Sequence, residues 1–214
     1  MKLDEYLEKL TGHFTGSEFA KEVKLAKSEF FERAGIVDEA DENFDIRMSQ
    51  FLDWYLFSRR LSQQQLTPVQ LAKQSNGIIG HDSETKWLEN LVSMQHSLFE
   101  FIKFKGDDMY IRDLLGGKKI IIKNSPVTVG FSPDEVFDAR LIPNEDSFIF
   151  TRGFCFHPPG ARKYIVREVK RVKKLASEEK EQMMLKLIKM RYRTDQYKHI
   201  DVSHIYTDES KLKT

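Results

Sequence analysis

The sequence predicts an α+β protein: an N-terminal helical part, a central five-strand antiparallel sheet or small SH3- or OB-like barrel, and C-terminal helices. Three observations carry that expectation. Up to about Val92, apolar residues recur at spacings of three and four. Between His96 and Pro159 this period gives way to short alternating runs separated by turn residues. From Arg162 helical spacing returns on a strongly basic segment. The corresponding segments are 1–95, 96–159, 160–193 and a polar tail over 194–214, expected to form one compact structural unit. With 214 residues, 40% hydrophobic and 12% aromatic, the chain can fill a proper core.

In the helical part, Ser17 is a candidate N-cap with Glu18 in the first turn. Phe19, Val23, Ala26, Phe30 and Ala34 form the apolar stripe, and Gly35 supplies the stop. Asp38, Glu39, Asp41, Glu42 and Asp45 crowd the next connection. They lack the Gly and closing Glu order of a calcium loop, so a solvated loop and an acidic helix start are expected. A second helix, about Asn43 to Arg60, carries Phe44, Met48, Phe51 and Tyr55 inward, widened by Leu52 and Leu56. The aromatic group Phe51, Trp54, Tyr55 and Phe57 reads as core, while Arg59 and Arg60 suit the helix C-terminus. Thr67-Pro68 opens a short helix to about Gln74. After SNGIIG, Asp82 or Ser83 caps a further helix with Trp87, Leu88, Leu91 and Val92 pointing inward.

Five strands are expected, in meander order. They run from Ser97 to Phe104, Met109 to Leu114, Lys118 to Lys123, Glu135 to Ile142, and Ser147 to Phe156 with a bulge at Gly153. Beyond them, Ile165, Val169, Val172 and Ala176 share one face of a helix that is basic elsewhere. Ser177 is a candidate cap for a last helix carrying Met183, Met184, Leu187, Ile188 and Met190.

The formal net charge of +1 conceals an uneven distribution. Met1 to Phe57 holds thirteen acids and seven bases, and Ala161 to Arg193 twelve bases and four acids. The ends can attract one another within the fold, or the basic end can serve an external anion. The single cysteine, Cys155, excludes an internal disulfide framework and a Cys-rich zinc site. MKLDEYLEKL places acids where a signal peptide needs an apolar core, and no run approaches the roughly 20 apolar residues of a membrane span. A cytoplasmic protein is expected.

The order FLDWYLFSRRL, LTPVQL, SLFEF, MYIRDLLGGKKIIIKN and EVFDARLIPNEDSFIFTRGFCFHPP resembles a group of uncharacterised bacterial proteins, many of which carry a SEC-C zinc motif. The resemblance covers about Phe51 to Pro159 and is most specific at Arg112 to Gly117 and Ala139 to Leu141. It implies a shared fold and no established activity. With Cys155 alone the chain cannot build the SEC-C site, so zinc-dependent binding does not carry over.

Arg112 and Arg140 are candidates for a polar site on the β-unit, because guanidinium can fix a carboxylate or phosphate. Neighbouring strand residues face opposite sides, so Asp113 is expected to support the turn at Gly116 and Gly117, and Arg140 to pair with an acid of the fold. Cys155 and His157 share a strand face and could form a thiolate and base; a buried structural Cys is the favoured reading. His199, Asp201 and His204 fall short of a metal site, and no cofactor or metal is expected.

The functional lead is the basic helix. Arg162, Lys163, Arg167, Lys170, Arg171 and Lys174, with Met183 and Met184 of the next helix, are the candidate partner-binding residues. The expected function is non-enzymatic binding, as an adaptor or regulatory module with a protein partner, including a second copy of the chain. The alternatives are a nucleic-acid-associated factor using 161–174 and, behind it, an uncatalogued hydrolase. A membrane-surface role and purely internal pairing with the acidic N-terminal helices also compete for this helix.

Overall fold

The computed structural model describes residues 3–78, 84–127, 130–132 and 134–209. Within it the chain divides into two units, one of residues 1–31, 37–95 and 140–153, the other of 32–36, 96–139 and 154–214. Helices at both ends of the sequence and an antiparallel sheet between them make the fold α+β.

In the first unit, α1 (Leu3–Phe14) forms because Leu3, Tyr6, Leu10 and Phe14 bury one stripe. A short 3₁₀ turn at Ser17–Phe19 then leads into α2 (Ala20–Ala34). Ser17 opens that turn with Gly16 as its cap, so the expected capping by Ser17 is not realised. Gly35 does end α2, at a φ of 95° that a side chain would resist. Its successor α3 (Phe44–Phe57) buries Phe51, Trp54, Tyr55 and Leu56, and Phe30 packs against both Phe51 and Trp54. The aromatic group is core, with Phe57 at its half-buried margin.

α4 (Pro68–Gln74) starts on a reciprocal capping box between Thr67 and Gln70, with Pro68 in its first turn. In α5 (Glu84–Val92), Leu88 and Leu91 point inward while Val92 is exposed, a correction to the expected four-residue stripe. Asp82 and Ser83, the expected caps, lie outside the described residues.

The strands are β1 (Gln95–Lys105), β2 (Asp108–Asp113), β3 (Lys119–Ile122), β4 (Val136–Asn144), β5 (Ser147–Phe150) and β6 (Cys155–His157). Their order is β3-β2-β1-β4-β5, with β6 also on β4, so β4 lies beside β1 and the meander stops after β3. The connection after β3 is long enough to return to β1, where Phe101 N–H donates to the Glu135 carbonyl. The expected fifth strand is two short ones. Leu141 faces Phe150 and Asp138 faces Cys155, so three steps on β4 match five on the returning arm. The two extra residues form a bulge at the predicted Gly153. Asp53 of α3 holds it, accepting hydrogen bonds from the Thr151 hydroxyl at 2.5 Å and the Gly153 N–H at 2.9 Å.

In the second unit, α6 (Arg162–Val172), α7 (Ser177–Gln196) and the short α8 (Val202–Ile205) pack with Leu98 and Val136 of the sheet. Ser177 is the first helical residue of α7, preceded by Ala176 at the cap; its hydroxyl faces Glu178 and does not cap the helix. The polar tail returns to this core, where Ile205 and Tyr206 are buried. No described helix is long and apolar enough to cross a membrane.

Candidate functional site

α6 has the two-sided pattern its sequence requires. Tyr164, Ile165, Val169 and Val172 are buried, and the apolar side is wholly occupied by the core of the second unit. A membrane-surface role would need that side free. The basic residues face solvent.

Three carboxylates answer part of this charge, and all three belong to the second unit. Glu100 of β1, itself buried, accepts from Arg112 of β2 at 3.1 Å and from Arg162 at 2.5 Å. Buried Glu168 accepts from Arg171 at 2.8 Å, with Arg167 at 3.5 Å. Asp208 binds Arg167 at 2.6 Å, Lys186 at 2.7 Å and the Tyr164 hydroxyl at 2.8 Å. The Arg167 guanidinium also lies 4.7 Å from the Tyr164 ring centroid. Hydrogen bonds from Lys186 and Tyr164 hold the Asp208 carboxyl below its usual range. Burial opposes the Lys186 charge, but the hydrogen bonds to Asp208 and Tyr164 outweigh it and its pKa is raised. The bonds to Glu168 likewise raise Arg171.

Lys163, Lys170, Lys173 and Lys174 are exposed, and no ion pair reaches them among the described residues. On the helix, Lys163, Arg167 and Lys170 stand at i, i+4 and i+7, one straight ridge. Lys174 continues it in the following turn. On the flank, a Cβ at Gly117 would meet Lys173 Nζ at 2.9 Å, so the β2–β3 turn with Lys118 adjoins the end of α6. Cross-strand register then aligns Glu100, Arg112 and Lys119 in one row. Counting α6, its immediate turn, Arg112 and Lys186, nine cations surround the three carboxylates, a local net of six positive charges.

The other candidate residues are placed differently. Met183 and Met184 lie in the core of the second unit at 2% exposure each, so they offer no surface to a partner. The middle of their helix buries Met183, Met184, Leu185, Leu187, Ile188, Met190 and Tyr192, which a count of methionines does not reveal. Arg112 joins the cationic face. Arg140 is buried in the first unit and donates to the Ser58 hydroxyl at 3.1 Å, where an acid partner was expected. Arg59, read as a helix-end charge, is instead buried between Glu22 at 2.6 Å and Glu29 at 2.7 Å. Asp113 does support its turn, accepting from the Gly116 N–H at 2.8 Å and from the Ser97 hydroxyl.

Cys155 and His157 are both buried, which supports the structural reading of the thiol. His157 Nδ1 lies 2.9 Å from the Tyr206 hydroxyl, and burial lowers the His157 pKa to about 4. Asp201 caps α8 through Ser203, and among the described residues no group of three His, Cys, Asp or Glu is placed to hold a metal. In the 38–45 cluster, Asp38 and Asp41 accept from the backbone N–H groups of Ala40 and Asn43. That is turn chemistry.

The residues that sequence reasoning missed are the counter-charges. Glu100 left a signal, an acid inside the apolar run Leu98 to Ile102; Asp208, in a polar tail, left none.

A family model covers residues 17–200, from the end of the first helix through the last long one. The chain belongs to the family of unknown function DUF7986. No curated protein and no solved structure matches it. Membership in DUF7986 therefore brings no activity with it, and the cationic face rests on its own geometry.

Proposed function

We propose that this DUF7986 protein is a non-enzymatic binding protein whose working surface is the cationic side of α6, and whose ligand is the phosphate backbone of a nucleic acid. The observation that carries the reading is the ridge Lys163–Arg167–Lys170–Lys174, whose three lysines have no carboxylate partner among the described residues. Lysine is depleted in the desolvated centres of protein interfaces, whereas Lys and Arg are the side chains that neutralise phosphates. With the methionines in the core, an adaptor role through an apolar helix face loses its surface. The ridge spans roughly 16 Å at 1.5 Å per residue, about five nucleotides at 3.4 Å each. No base-reading motif accompanies it, so the binding is sequence-tolerant. A cytoplasmic location and kinship with bacterial proteins that carry a SEC-C motif belong to the same proposal.

The test is fluorescence anisotropy with labelled single-stranded RNA, single-stranded DNA and duplex DNA, beside an acidic peptide, at about 50 mM salt. Saturable binding to nucleic acid is expected, weakening roughly 50- to 150-fold by about 200 mM salt for four phosphate contacts. Binding of the acidic peptide alone would make the partner a protein. No binding to any probe would end the reading.

A further inference from the structure

A cavity of about 240 Å³ opens in the first unit. Two helices line it with the same spacing. Asp4, Leu7, Glu8 and Thr11 come from α1, and Ser49, Leu52, Asp53 and Leu56 from α3, each set at i, i+3, i+4 and i+7. β5 and the start of the bulge close it with Phe150, Thr151 and Arg152. Leu7, Leu52, Leu56 and Phe150 make an apolar floor.

The polar lining is weighted toward acceptors. Each hydroxyl spends its proton within the protein: Thr11 donates to the Leu7 carbonyl at 2.7 Å, Ser49 to the Asp45 carbonyl at 2.9 Å, and Thr151 to Asp53 at 2.5 Å. Only their acceptor lone pairs remain. On the described lining the one cation is Arg152, which Glu8 engages at 2.9 Å. Asp4, Glu8 and Asp53 against Arg152 leave two net negative charges on the described lining. A guest must therefore bring an apolar body and its own donors. The volume exceeds the ~150 Å³ that holds one benzene and falls below the ~300 Å³ of drug-sized sites.

We infer that this cavity is a binding site for a small primary ammonium on an apolar body of one ring or a short alkyl chain. The apolar body lies on the leucines and Phe150, and the ammonium donates to Asp4, Glu8 and the free hydroxyl lone pairs. Charge selects it, because a carboxylate of equal shape meets three carboxylates against a single guanidinium that Glu8 already engages.

The experiment uses the full chain, with 2-phenylethylamine, phenylacetate and propylbenzene as probes, followed by methyl NMR of Leu7, Leu52 and Leu56. The amine should shift these signals saturably and bind at least tenfold more tightly than either probe. Leu52→Trp, which fills the hollow, should abolish the shifts while the methyl spectrum of the second unit stays native. Glu8→Gln removes a carboxylate and releases Arg152, so the tenfold preference should fall to near unity. Equal binding of all three probes by the wild type, or amine binding that survives Leu52→Trp, would overturn the assignment. So would the absence of any shift from the amine.

Discussion

The two units carry opposite chemistry. The hollow of the first unit presents mainly acceptors, its hydroxyl donors already spent, over a floor of leucine and phenylalanine. The α6 face of the second presents donors, lysines without carboxylate partners among the described residues, over a core of aliphatic residues, methionine and tyrosine. A formal net charge of +1 describes neither. What separates them is where the counter-charges fall: Glu8 cancels Arg152 in the first unit, while Glu100, Glu168 and Asp208 leave the second in cationic excess.

The contrast breaks most severely at Met184. A charge placed there has no partner in the aliphatic core, and Met184→Glu should cost about 3–5 kcal/mol, read as a urea midpoint. A stable variant that lost only a binding partner would return the methionines to the surface. In the first unit, Asp53→Ala strands two buried donors, Thr151 Oγ1 and Gly153 N–H, and should cost about 2–4 kcal/mol. The bulge should open with it, seen as faster amide exchange at Gly153.

A pH titration sharpens the contrast within the second unit. Burial holds His157 at about 4 against an ordinary 6.5, so the unfolded chain binds the proton more readily between those values. Its contribution is fully present above pH 6.5 and is lost as pH falls toward 4. Between pH 7 and pH 5 the loss should be about 2 kcal/mol, and His157→Gln should flatten that part of the profile. The smallest effect on stability should come from Lys163→Glu, Lys170→Glu and Lys174→Glu, each within about 0.5 kcal/mol. A larger loss in a thermal melt would show that the ridge serves the fold.

Much of this architecture is legible in sequence because it is local. The Thr67-Pro68 start, the Gly35 stop, the bulge at Gly153 and the two-sided α6 each follow from a few neighbouring residues. What was not legible depends on long-range pairing. The position of β4 beside β1 rests on a connection whose composition says only that it is irregular. Arg59 between Glu22 and Glu29, and Asp208 beneath Arg167, join residues 30 to 41 positions apart. For the same reason the methionines of α7 could be read as a surface: only the packed core shows that Met183 and Met184 face it.

The central claim is that the lysine ridge of α6 is a phosphate-binding surface. Its most direct test is the slope of log Kobs against log salt for single-stranded nucleic acid, comparing the wild type with the triple variant Lys163→Glu, Lys170→Glu, Lys174→Glu. At about 0.7 per phosphate contact, losing three contacts should flatten the slope by roughly 2, with affinity at about 50 mM salt falling steeply. An unchanged slope and affinity in a folded triple variant would contradict it.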